Sequence, residues 1–199
     1  MTTPDLFGLA AAGMTLISEG IYIWSIVTGP AGSRTRPSRS TFWIWMLIQG
    51  VFAATYIATG ETFAAGISLV YAVCFFVIAI LSLRYGYSGW GRTDTRCAIA
   101  VVVAVGIWIV TKNPVLALVM SIVADFLGAI PTVKKVWFQP RTESRSAWTL
   151  AVFATMLNFG AVQTWGFSDV AFHGYLFFIN GIIAWRSWMP GRPISARYS

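Results

Sequence analysis

The sequence predicts an all-α polytopic membrane protein: seven transmembrane helices arranged as two parallel three-helix repeats joined by a linker helix. Three observations predict it. Of 199 residues, 57% are hydrophobic and only 11% are charged, against about 25% charged in a soluble domain. Apolar runs approaching the roughly 20 residues that cross a bilayer as a helix recur between polar breaks, and none shows the alternation that a closed barrel needs. Several unusual residues also return after a shift of 106 positions. The composition excludes an ordinary globular enzyme and leaves little chain for a soluble domain.

The first run, residues 6–27, has the look of a signal peptide, but only Asp5 precedes it, with no basic residue, and it outruns a signal core. It reads as an uncleaved membrane helix. Residues 41–58 follow a loop with Arg34, Arg36 and Arg39, and residues 63–83 follow a short one with Glu61. Residues 97–111 come after Arg84, Arg92 and Arg96; this run is the shortest, broken by Lys112-Asn113-Pro114. Residues 114–136 end at Lys134-Lys135, and residues 147–164 begin beyond Arg141 and Arg145. Residues 170–188 start after Asp169 and lead into a tail, with Arg186, Arg192 and Arg197 around the exit.

Thirteen of the 14 basic residues therefore fall on one side, with Lys112 opposite. The positive-inside rule puts the N-terminus outside and the C-terminus in the cytoplasm, in the cell inner (plasma) membrane. The net charge of +7 is then a topology signal spread over four loop regions, not a nucleic-acid surface, and attraction to anionic inner-leaflet lipid is its side effect. The expected partners are the lipid bilayer and a small-molecule solute or lipophilic substrate, with no nucleic acid; a homo-oligomer is left open. No cofactor and no metal are expected. Cys74 and Cys97 offer neither a disulfide framework nor metal-ligand spacing, and no HExxH, nucleophile elbow, Walker sequence or Rossmann glycines occur.

The shift of 106 residues lays Ser38-Arg39-Ser40 on Ser144-Arg145-Ser146, Glu19 on Asp125 and Thr15 on Ser121 without a gap. The third and seventh runs correspond after a two-residue slip, with Glu61 and Asp169 just before them. The organisation read from this is a first repeat over 1–88, a linker-helix region over 89–112, a second repeat over 113–190 and a cytoplasmic tail over 191–199. One linker helix restores the direction of insertion, so the repeats run parallel about an axis along the membrane normal, with a site between them near the midplane.

The stretch Ile130-Pro131-Thr132-Val133-Lys134-Lys135, with Arg141-Thr142-Glu143-Ser144 and Trp148, resembles the PQ-loop signature of the SWEET superfamily. The three-plus-one-plus-three plan and the outside N-terminus are similar too. That superfamily contains sugar transporters, cystinosin-like proton-coupled exporters, the KDEL receptor and nicotinamide-riboside-type permeases. The resemblance implies transport of a small polar or amphipathic solute by alternating access, with Pro131 as a hinge and Asn158 and Asn180 on the solute. Thr132 stands where the motif has Gln, and Ser25 where the first repeat would have its Pro. Sugar-type members pair an Asn from each triplet; Asn180 resembles one, but its counterpart in the third helix is Ala72. Asn158 lies near the place of a proton-binding Asp in cystinosin-like members. These departures weigh against a sugar.

Glu19 and Asp125 carry the chemistry in this reading. A carboxylate in mid-membrane is costly and should face the bundle interior or water. Each has a hydroxyl one turn earlier on the same face, Thr15 and Ser121, and Tyr22 or Gly128 one turn later. Such acids can form a proton relay, a cation-binding pair or a general acid for a lipophilic substrate; the structural alternative is that they only tie neighbouring helices. Asn158, Asn180, Gln163 and Gln49 are the intramembrane amides. They serve either as substrate ligands or as interhelical bonds. His173, four residues after Asp169, is expected in a surface Asp–His contact. Of ten tryptophans, Trp24, Trp43, Trp45, Trp137, Trp148, Trp185 and Trp188 fall near cytoplasmic helix ends and Trp165 near an outer one, as in an interfacial belt. Tyr22, Tyr56, Tyr71, Phe76, Phe153, Phe159 and Phe177 are left for interior packing. Gly86, Gly89 and Gly91 signal loop flexibility.

A second class of function competes with transport. Seven-helix membrane terpene cyclases are similar in size and in having intramembrane acids. Their chemistry needs a carboxylic acid to protonate an alkene or epoxide and aromatic faces to stabilise the carbocation. Phe52 and Asn180 stand near where those families carry their acids. A receptor or scaffold that transports nothing is the plainest reading.

Overall fold

The computed structural model describes residues 2–29, 34–60, 62–87, 90–111, 114–162 and 165–190. Among them are seven α-helices, one 3₁₀ turn and no strand. The helices are α1 (Thr3–Thr28), α2 (Arg39–Thr59), α3 (Thr62–Tyr85), α4 (Arg92–Thr111), α5 (Pro114–Phe138), α6 (Arg145–Ala161) and α7 (Phe167–Trp188), with the turn Pro140–Thr142 between α5 and α6. Glu61, Lys112, Gln163 and the 191–199 tail with Arg192 and Arg197 lie outside the described residues.

Local chemistry sets the helix ends. Thr2 and Asp5 form a reciprocal capping box at the start of α1, Thr2 N donating to Asp5 Oδ2 at 2.7 Å and Asp5 N to Thr2 Oγ1 at 3.4 Å. Gly60 closes α2 at φ +83°, a left-handed conformation that side chains with a Cβ resist. Pro114 opens α5, where its missing N–H costs nothing. Most helices overrun the apolar stretches by a turn or less, because polar residues such as Arg39 and Arg92 extend the backbone pattern beyond the greasy run. The largest change is at α4, which starts five residues before the expected 97.

The helices pack in a definite order. In the first half α3 lies between α1 and α2, and in the second α7 lies between α5 and α6. The halves meet through α1 against α6 and α2 against α5, while α4 packs outside on α5 and α2. Among the described residues, exchanging α1 for α5, α2 for α6 and α3 for α7 leaves this six-helix pattern unchanged. The hydrogen bonds repeat as well. Arg39 at the start of α2 donates to the Ser82 and Leu83 carbonyls at the end of α3 (3.0 and 2.9 Å), and Arg145 at the start of α6 donates to the Ser187 carbonyl at the end of α7 (3.0 Å). Ser82 and Ser187 each donate back along the helix, at 2.6 Å, to Ala79 and Ala184. These bonds align α3 with α7 at a shift of 105, not at the 108 set by Glu61 and Asp169; the bonded ends, rather than the loop acids, carry the register.

α1 over Thr3–Thr28 and α3 over Gly66–Tyr85 are long and apolar enough to cross a membrane. Every helix exposes large apolar side chains: Ile17, Leu47, Val73, Val102, Phe126, Phe153 and Phe178 are examples, one per helix. Phe76 and Phe153, expected inside, belong to this outer surface. The interior is tight where helices cross. A Cβ on Gly128 of α5 would lie 2.8 Å from Ile44 Cγ2 and 3.1 Å from Trp45 Nε1, so glycine lets α5 approach α2. Cys74 and Cys97 are free thiols.

Candidate functional site: a two-acid cavity between the helix triplets

Helices α1, α2, α3, α5, α6 and α7 enclose a cavity of about 400 Å³. Along α1 it runs from Gly8 to Tyr22, about 20 Å at the helical rise. Six of the residues singled out by sequence line it: Glu19, Thr15 and Tyr22 from α1, Asp125 from α5, Asn158 from α6 and Asn180 from α7. Gln49 lines it too.

The partners differ sharply between the two acids. Tyr175 Oη of α7 donates to Asp125 Oδ2 at 2.6 Å, and Trp45 Nε1 reaches the Asp125 carbonyl at 3.4 Å. Glu19 has no hydrogen-bond or ion-pair partner among the described residues. Tyr22, Tyr71 and Cys74 stand within electrostatic reach of it. Both carboxyls line the one cavity, from helices that are not direct neighbours. The hydroxyls are engaged elsewhere: Thr15 Oγ1 donates to Ala11 O at 3.0 Å, and Tyr22 Oη to Glu143 Oε2 at 2.8 Å.

Other expectations move. Ser121 does not line the cavity. It lies at the contact of α5 with α2 and α4, beside Ile48, Val105 and Met120, because four residues of helix turn it about 40° away from Asp125. Pro131 stays inside a continuous α5 and borders a separate crevice at the end of the bundle that carries the arginines. The Asp169 side chain of the expected Asp–His contact lies outside the described residues, and His173 is half-buried. It lines the cavity, with its ring 6.1 Å from Phe159 and 6.4 Å from Phe172. Trp45 and Trp148 are buried rather than interfacial, whereas Trp24, Trp137, Trp165, Trp185 and Trp188 are exposed.

Those two tryptophans belong to the cavity floor. Tyr22, Phe42, Trp45, Phe75 and Trp148, from four helices, pack ring against ring with centroids 5.3–6.3 Å apart. Phe42 and Trp148 occupy equivalent places of the repeat. Beneath the rings lies a buried ion pair between Lys135 and Glu143, whose side chains are 1% and 0% exposed. Glu143 Oε2 also accepts from Trp148 Nε1 at 2.8 Å, and Lys135 donates to the Arg36 carbonyl. Arg36 N in turn donates to Thr142 O at 2.9 Å. The sequence offered Lys135 as one of the basic residues that set topology and Glu143 as a motif position; a Lys and a Glu eight residues apart across a Pro140 turn were the available signal. Thr132, in the place of the motif's Gln, donates to Thr41 at 3.0 Å and ties α5 to α2.

The arrangement is an aromatic-rich chamber with two acids and three amides, closed at the arginine end by edge-packed and tilted rings over an ion pair. Among the described residues no lysine or arginine lines it. Among the described residues no group of three or more His, Cys, Asp or Glu side chains is placed to hold a metal ion. No protein-family model, curated protein or solved structure matches this chain.

Proposed function

We propose that this protein is a multi-pass transporter of the plasma membrane, N-terminus outside and C-terminus cytoplasmic, that moves a small polar or amphipathic solute by alternating access in the manner of the PQ-loop and SWEET-like proteins it resembles. The observation that carries the reading is the cavity at the seam of two similarly packed helix triplets, reached by both deep acids and stoppered at one end only by side chains. The large apolar residues exposed on every helix support seven spans, since a soluble monomer rarely exposes such a surface. The shared packing order supports two parallel repeats, residues 1–88 and 113–190, with α4 as the linker. In this reading Glu19 and Asp125 take up a proton, Asn158 and Asn180 touch the solute, and Pro131 bends α5 as the triplets rock.

The test needs no knowledge of the solute. With Cys74 and Cys97 replaced by serine, Ala151→Cys puts one thiol on the cavity wall. A membrane-impermeant maleimide should label it in right-side-out and in inside-out vesicles. Labelling from one face only would rule out alternating access.

The unpartnered Glu19 beside aromatic walls favours a second reading, a membrane terpene cyclase in which Glu19 protonates an alkene and the rings stabilise the cation. Turnover of a prenylated substrate in detergent, with no gradient, would establish it in place of transport.

A further inference from the structure

We propose that the cavity takes an organic cation with an apolar body, such as an arylalkylammonium, and that Glu19 is its counter-ion. The proposal rests on the transport reading and supplies its substrate class.

Three observations meet at this cavity. Glu19 projects from α1 into it with no partner among the described residues, while Asp125 is already held by Tyr175. A carboxylate taken out of water without a partner is unfavourable, and a positive ligand removes that penalty. Next, no lysine or arginine among the described residues lines the cavity. An anion would enter against two acids with no cation to meet it, and an amino acid would find a counter-ion for its ammonium group but none for its carboxylate. Finally, Tyr71, Trp45, Phe52, Phe75 and Trp148 line the same space. Aromatic faces attract a cation strongly once water is gone, and they also hold an apolar body. An inorganic cation would need a converging shell of oxygens, and among the described residues no group of three or more His, Cys, Asp or Glu side chains is placed to hold one.

The same geometry couples solute to proton. One carboxyl holds one positive charge at a time, so an arriving ammonium group displaces the Glu19 proton to solvent, and the two exchange. The titratable groups around Glu19 are Tyr22 on its own helix and Tyr71 and Cys74 on α3; α6, packed against α1, brings the neutral Thr155 and Asn158. Asp125 and His173 face the cavity from α5 and α7.

The experiment is calorimetric titration of the purified full-length protein in detergent near pH 8, with benzyltrimethylammonium, its neutral carbon isostere neopentylbenzene, and benzenesulfonate. Saturable binding of the cation alone is expected, about tenfold or more weaker in Glu19→Gln, and weakening as pH falls. Failure of the cation to bind, equal binding of neopentylbenzene, or an unchanged affinity in a monodisperse Glu19→Gln protein would each overturn the proposal. The isostere comparison uses the native chain, so it decides even where the variant does not fold. Counterflow of benzyltrimethylammonium in proteoliposomes separates the two levels. Binding without flux keeps the cation site and removes the transport reading; flux of a neutral solute without cation binding does the reverse.

Discussion

Gly128 shows how much a single missing methylene-sized atom controls. It occupies the repeat position of Tyr22, yet Trp45 fills the space a side chain would need, with Ile44 Cγ2 only 2.8 Å from a built Cβ. Gly128→Ala should therefore destabilise the bundle by about 1–3 kcal/mol through overpacking, seen as a lower thermal midpoint in detergent; an unchanged midpoint would mean that α2 and α5 can part without cost. The same residue makes the two halves unequal at the cavity floor, with a tyrosine below Glu19 and a tryptophan below Asp125. Glu19 and Asp125 could be picked out from sequence because a charge in the middle of an apolar run is visible there. Their difference could not. Tyr175 lies 50 residues from Asp125 in the chain, and nothing in either local sequence announces the bond.

Among the elements, α5 carries most of the distinctive features: an acid on the cavity, a glycine at the α2 contact, Pro131 in its last third and Lys135 in the buried ion pair. Pro131 has no N–H for the Leu127 carbonyl, so the helix is weakened between the acid and the ion pair. Pro131→Ala restores that donor. It should keep or raise the thermal midpoint while slowing labelling of the Ala151→Cys thiol from the side of the arginine-bearing helix ends several-fold; an unaltered labelling rate would deny Pro131 the role of hinge. The number of helices and their approximate limits were readable from apolar runs and breakers such as Lys112-Asn113-Pro114. The extra turns at Arg39 and Arg92 were not, since a hydropathy reading stops where the grease stops, whereas the backbone stops where its caps and turns are. The shift relating α3 to α7 likewise became clear only from the Arg39–Ser82 and Arg145–Ser187 bonds.

At the scale of the whole molecule, the triplets are held together at one end by the aromatic floor and the Lys135–Glu143 pair. Removing one member of a buried pair leaves the other charge uncompensated, at about 3–5 kcal/mol. Glu143→Gln, which also weakens the acceptor of Tyr22 and Trp148, should lower the thermal midpoint and speed labelling of the cavity thiol from the side of the arginine-bearing helix ends. A fall in stability without faster labelling would make the pair a brace rather than a gate. Only Glu143 connects α1, α5 and α6 in this way among the described hydrogen bonds, so its effect should exceed that of Arg39→Ala or Arg145→Ala, which clip helices within one triplet.

The sequence by itself determined that the chain is helical, how many helices it forms and which acids lie deep within them, because these follow from local composition and spacing along one strand of chain. The tertiary structure alone decided which buried polar groups have partners. Whether Glu19 faces an open chamber, Asp125 meets Tyr175, Lys135 finds Glu143 and Trp45 turns inward depends on the angle of each residue about its helix relative to a neighbour distant in sequence. Burial can be read from one helix; pairing needs two, and Glu19 is the deep acid that packing leaves without a partner among the described residues.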